Sequence, residues 1–405
     1  MSSSRLPSIV STTSPRGLVT HQITARTCKE MYHLTTPLRY RSVDLNTVPG
    51  VSSNDPNYLE GALTRTQKFA CEVQTFGQYI REASIRVLKP GLWSRAEDVD
   101  LALVDFLLGA PQLHTLTINC DRHDFDHSFH SSLLNGIPRL NALKHVTLKM
   151  VESPRGAPIP QARIEDSYSN IANRLLTSLI DHHGQTLLSI NIHGGLRVDK
   201  TLFQHIRDKT PNLRTLGVVM GLEMELNPLL REPKPWSSVG TLQSLTLMHC
   251  TVHAEHLTTQ LALGTFGSLR HLSLFCCGDP SDDQNLRPRA RWTGPPLDTF
   301  RLHHFIAWEV ETLSTISTRL LVATSVEPPH FATLIRSPNS FPGLERIRVS
   351  GEWGAVELVD LQSAAASRGI EVVPDWDRNE DSLAEEFRLI DHCPCFDCVA
   401  NRLRL

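Results

Sequence analysis

Residues 240–252 read GTLQSLTLMHCTV, and their leucines return almost unchanged in GSLRHLSLFCC at residues 267–277. Leu242, Leu245 and Leu247 in the first stretch correspond to Leu269, Leu272 and Leu274 in the second. The spacing L-x-x-L-x-L ends in an alternation. Alternation puts successive side chains on opposite faces of a short strand, so its leucines line one face.

The same phrase recurs along most of the chain. It is LHTLTI at Leu113, Leu116 and Ile118, LKHVTL from Leu143, LLSINI from Leu187, and LRTLGV at Leu213, Leu216 and Val218. LDTFRL from Leu297 and LERIRV from Leu344 follow, with poorer copies at IREASI from Ile80 and LLVATS from Leu320. Five successive copies begin at Leu187, Leu213, Leu242, Leu269 and Leu297, so the step stays within the 20 to 29 residues that mark a leucine-rich repeat. A single repeat cannot bury its own apolar face, and stacking neighbours in parallel joins the leucines into one core. The expected class is α/β, a leucine-rich-repeat solenoid with helical and irregular returns over residues 78–375.

In such repeats the place three residues after the last leucine holds Asn or Cys turned inward. Cys250 follows Leu247 in that place and Cys277 follows Leu274, so both thiols are expected to be structural. Between strands, Ile171, Leu175, Leu176, Leu179 and Ile180 repeat at helical spacing, with Gly184 as a stop. LFQHIRDKTPNL and HLTTQLALG have the same pattern. The stretches ESPRGAPIPQ, NPLLREPKPWSS and DPSDDQNLRPRARWTGPP hold too many prolines for helix interior and form long loops.

Ahead of the repeats, residues 18–45 read LVTHQITARTCKEMYHLTTPLRYRSVDL. Ile23, Cys28, Met31 and Leu34 predict a helix, Pro37 its stop, and YRSVDL an alternating lead-in strand. Within it, Cys28, Lys29, Met31, Leu34, Pro37, Leu38, Tyr40, Arg41 and Val43 resemble the second half of an F-box, as found in divergent fungal-type F-box/leucine-rich-repeat proteins. The stretch departs from that pattern at Thr27 and Met31, and the family's opening helix is reduced to RLPSIVSTTSPRG. The resemblance implies F-box-like helices capping the solenoid. It also implies a Skp adaptor of a Skp-cullin-F-box ubiquitin ligase bound through Leu18, Ile23, Cys28, Met31, Leu34, Pro37, Leu38 and Tyr40, with a target protein on the repeats. Residues 1–50 are then the F-box-like segment, 51–77 a linker and 376–405 an acidic, cysteine-containing tail. The alternative is a stand-alone leucine-rich-repeat scaffold that binds protein without an adaptor.

Composition narrows the function classes. Over 405 residues, 40% are hydrophobic, 20% are charged and the net charge is −3, which suits a folded chain and gives no overall attraction to nucleic acid. No apolar run reaches the roughly 18 residues of a membrane span, and no secretory leader opens the sequence, so cytoplasm or nucleus is expected. There, the nine cysteines would be reduced.

No nucleotide-binding loop, nucleophile elbow or zinc-protease motif occurs, so no catalytic residue and no cofactor are assigned. His392, Cys393, Cys395 and Cys398 supply only one C-x-x-C half-site, and His123, His127 and His130 fall in a polar stretch after a repeat strand. No metal site is assigned to either group.

Overall fold

The computed structural model describes residues 35–45, 58–87, 96–121, 136–151, 173–193, 200–225, 237–238, 240–251, 266–275, 296–303, 310, 313–324, 326, 328–350 and 353–374. They belong to two units, Met1–Leu187 and Leu188–Leu405.

In the first unit, β1 (Ser42–Asp44), β2 (Glu82–Val87), β3 (Thr115–Asp121) and β4 (His145–Val151) pair in parallel, in chain order. Equivalent residues of the repeated phrase stand side by side, Ala83 opposite Leu116, Leu116 opposite Val146, Ile118 opposite Leu148. All are buried, because alternation turns each of them to the same face. Helices α1 (Tyr58–Phe76), α2 (Ala96–Leu108) and α3 (173–183) supply the other side of the core. Helical spacing brings Leu63, Phe69 and Val73 onto one face of α1, and Leu175, Leu176, Leu179 and Ile180 onto one face of α3; each of these is buried.

The ends of α1 and α2 approach at two glycines. A Cβ on Gly77 would lie 1.7 Å from the Gly109 carbonyl oxygen, and one on Gly109 would lie 2.3 Å from a Val73 methyl carbon. Only hydrogen fits at either place.

In the second unit β5 (Ser189–His193), β6 (Thr215–Glu225), β7 (Ser244–Thr251), β8 (His271–Phe275), β9 (Leu297–His303), β10 (Thr318–Thr324), β11 (Arg346–Ser350) and β12 (Glu371–Pro374) again pair in parallel with the next in sequence. Helices α4 (Lys200–Lys209), α5 (Pro328–Arg336) and α6 (Ala355–Ala366) lie between strands, and Arg336 of α5 pairs with Asp360 of α6. The repeat leucines Leu213, Leu216, Leu242, Leu245, Leu247, Leu269, Leu272 and Leu274 are all buried, as are Leu113 and Leu116 in the first unit. Each unit is thus an α/β stack of parallel strands, of leucine-rich-repeat type.

Three expectations change. Residues 51–77, expected as a linker, instead hold α1 over 58–76 with a buried face. Pro37 does not stop a helix, for 35–39 are helical and the Tyr40 amide donates to the Thr36 carbonyl at 3.1 Å. The copy assigned to Leu320 begins two residues earlier. Thr318 faces Leu297 and Leu321 faces Phe300, so the phrase is Thr318, Leu321 and Ala323. Thr318 is fully buried and its hydroxyl donates to the Leu297 and Leu320 carbonyls, which lets a polar residue hold a leucine's place.

Candidate interaction surface

The N-terminal end is built from the strand inward. Because Val43 faces Ala83, the chain at 40–45 is itself a copy of the repeat, with Tyr40, Val43 and Leu45 as its inward residues at 4%, 3% and 3% exposure. The Tyr40 ring stacks on Phe76 at the end of α1, with centroids 4.2 Å apart. Arg65 of α1 donates to the Asp44 carbonyl at 2.8 Å, which fastens the helix to β1. Arg39 lies over the Tyr40 ring at 5.6 Å. On α1, burial pushes the Glu72 carboxyl above its ordinary range, against the opposing pull of Lys68 and Arg39.

Of the residues expected to bind an adaptor, Leu18, Ile23, Cys28, Met31 and Leu34 lie outside the described residues. Pro37 is half-buried, Tyr40 is turned into the core, and Leu38 is 57% exposed. Leu38 is thus the outward apolar residue of the described part of that set. Cys250 lies on β7 with its backbone opposite Met224, while its side chain, together with all of Cys277, lies outside the described residues. The cysteines at 393, 395 and 398, His392, and the histidines at 123, 127 and 130 lie outside them too.

The residue that follows each first inward residue forms an outward row across the strand starts. In the first unit the row is Arg41, Arg81, His114 and Lys144. It is held in step by the backbone: the Arg81 and Glu82 amides both donate to the Arg41 carbonyl. His114 and Thr115 donate to Arg81, and Lys144 and His145 to His114, all at 2.8 to 3.0 Å. Among the described residues, none of these side chains joins an ion pair; the Arg81 guanidinium donates instead to the Gln78 carbonyl at 2.8 Å. Burial, then Lys144, Arg81 and His145, hold the His114 imidazole below its usual value; burial and Lys144 do the same to His145.

In the second unit the corresponding row contains Arg214, Gln243, Arg270, Asp298, Arg319 and Glu345. There Asp298 lies 3.7 Å from Arg270 and 4.0 Å from Arg319, and the neighbouring Arg346 meets Glu371 at 2.6 Å.

A second recurring contact lies just before the first inward residue. Thr186 donates to the Leu143 carbonyl at 2.9 Å, Thr241 to the Pro211 and Leu213 carbonyls at 2.8 and 3.0 Å, and Ser268 to the Gly240 carbonyl at 2.9 Å. Each hydroxyl ties its own turn to the one before it. The signal stood in the sequence as the hydroxyl residue opening TLLSINI, TLQSLTL and SLRHLSL.

Among the described residues there is no group of three or more His, Cys, Asp or Glu placed to hold a metal ion, and no helix long and apolar enough to cross a membrane. No family model and no curated protein matches the chain. Among solved structures, the chain is similar to one in "Crystal structure of Rad7 and Elc1 complex in yeast", at 12% identity and a TM-score of 0.37. The likeness covers 92% of this chain and 100% of that one. The repeat architecture described above stands on the chain's own strand register and buried leucines.

Proposed function

We propose that this chain is a non-catalytic receptor: its N-terminal segment engages a Skp adaptor of a ubiquitin ligase, and its repeats hold a target protein. The observation that carries the reading is Leu38. It stays 57% exposed between buried Thr36 and Tyr40, inside the segment that resembles an F-box. An apolar side chain held outward by a fixed backbone gains about 1.5 to 3 kcal/mol on being covered, which suits a docking contact. No bond is made or broken on the chain; the receptor acts by raising the local concentration of its target near the ligase.

Co-purification of the full chain with the matching Skp adaptor tests this. Leu38→Asp should abolish capture while leaving the circular dichroism spectrum and melting temperature unchanged, since the site is exposed in the free protein. A folded wild-type chain that captures no adaptor, or capture indifferent to Leu38→Asp, overturns the adaptor step.

One observation favours the stand-alone scaffold instead. Tyr40 and Val43, two residues of the F-box resemblance, are also the inward residues of a repeat copy, so the stack by itself requires apolar residues there. Under that reading the chain binds its target with no adaptor present.

A further inference from the structure

The outward row of the first unit has a chemical character that packing does not require. An arginine or lysine at the strand start contributes nothing to the leucine core, and like charges on adjacent strands repel. Arg41, Arg81 and Lys144 nevertheless stand immediately before three of four neighbouring strands, with His114 filling the gap between the last two. At about 4.8 Å per strand the row is about 14 Å long, the span of four or five residues of extended chain. Arg41 and Lys144 are exposed and Arg81 is half-exposed, so all three charges remain open to a ligand. One carboxylate, Glu82, lies at the next position of β2 and makes no ion pair among the described residues. The corresponding row of the second unit carries its own counter-charge in Asp298.

We infer that the row Arg41, Arg81, His114 and Lys144 is a docking strip for an extended acidic peptide segment of a partner protein, rich in Asp and Glu. Carboxylates match the row in charge and in reach: a guanidinium takes one in a paired fork, and an ammonium takes one as a point charge. A nucleic acid strand is the poorer fit. Its charge density calls for a broad basic field, whereas three cations lie here on a chain of net charge −3. The two histidines register the same field, since the cations beside them add to burial in favouring the neutral form of both. The inference rests on the protein-binding part of the proposed function and is independent of the adaptor.

The test uses the full chain and a fluorescein-labelled peptide of Asp and Glu, with its Asn and Gln counterpart and a short oligo-dT as competitors, followed by fluorescence polarisation. Arg41→Glu with Lys144→Glu is the informative variant, because neither side chain holds any contact among the described residues that folding needs. The expected result is saturable binding of the acidic peptide, weakened about tenfold or more by that double change. Arg270→Glu with Arg319→Glu, at the same place in the second unit, should leave the affinity as it was. Circular dichroism reports folding and Skp capture is scored separately, so loss of the adaptor does not count against the strip. No binding by the folded wild-type chain, binding indifferent to Arg41→Glu with Lys144→Glu, or equal binding of oligo-dT each overturns the inference.

Discussion

In the unit that ends at Leu187, one outward place of the repeat is held by Arg41, Arg81, His114 and Lys144; in the unit that begins at Leu188, that place sets Asp298 between Arg270 and Arg319. The inward places do not differ in this way. Leu116 and Leu272 are both fully buried in parallel strands, among neighbours of the same kind. Stacking therefore fixes the inward chemistry and leaves the outward row free to vary, so partner specificity is to be sought where the rows diverge.

The largest effects should fall where both units are constrained alike. Leu116→Ala and Leu272→Ala should each cost about 2 to 5 kcal/mol in denaturant unfolding, by lost burial and a residual cavity. A negligible cost at either would break the claim that the two stacks share one kind of core. Gly77→Ala should match them, at about 3 kcal/mol or more, because its new carbon would lie 1.7 Å from the Gly109 oxygen.

A smaller change sharpens the comparison itself. Asp298→Asn removes the counter-charge between Arg270 and Arg319, so that unit should gain weak affinity for the acidic peptide while the first unit's binding stays as before. The same substitution should alter stability by under about 1 kcal/mol, since both ion pairs are exposed to solvent.

The pH response separates the rows as well. His114, just before β3, stands beside Arg81 before β2 and Lys144 and His145 at the start of β4, with Glu82 opposite the adjoining Thr115, and its imidazole is held below the usual value. A base so lowered favours its neutral form in the fold, so its contribution to stability is present above the unfolded value and lost as pH falls through the folded one. His183 behaves alike: burial lowers it, although its Nε2 donates to the Ile137 carbonyl at 2.7 Å, which opposes the shift, and His182 adds to it. An acidic peptide bound on the row would raise the pKa of His114 and His145. Its affinity should therefore strengthen as pH drops below the usual imidazole range, which titration followed by polarisation checks.

The architecture was legible in the sequence because it rests on a periodic pattern of apolar residues, and nearly every leucine of that pattern is buried. The pattern failed where a different chemistry filled an inward place. At Thr318 a hydroxyl satisfied by two carbonyls replaces a leucine, so a search for leucines slid the frame by two residues. At Tyr40 an aromatic ring fills the place by stacking on Phe76, so the segment looks in sequence like a cap preceding the repeats rather than a copy of them. The helix at 58–76 leaves little trace in the sequence, because its buried face, Leu63, Thr66, Phe69 and Val73, includes a threonine and is sparse. The outward row was invisible for a plainer reason. Arg41, Arg81 and Lys144 are far apart in sequence, and only the parallel register makes them neighbours.

The hydroxyls of Thr186, Thr241 and Ser268 carry a last consequence. Each links one turn only to its predecessor, so protection against amide hydrogen exchange within a unit should decline strand by strand toward its ends. Thr241→Val would then act as a local fuse: exchange should quicken at the turns around Pro211, Leu213 and Thr241, while strands several repeats away keep their rates.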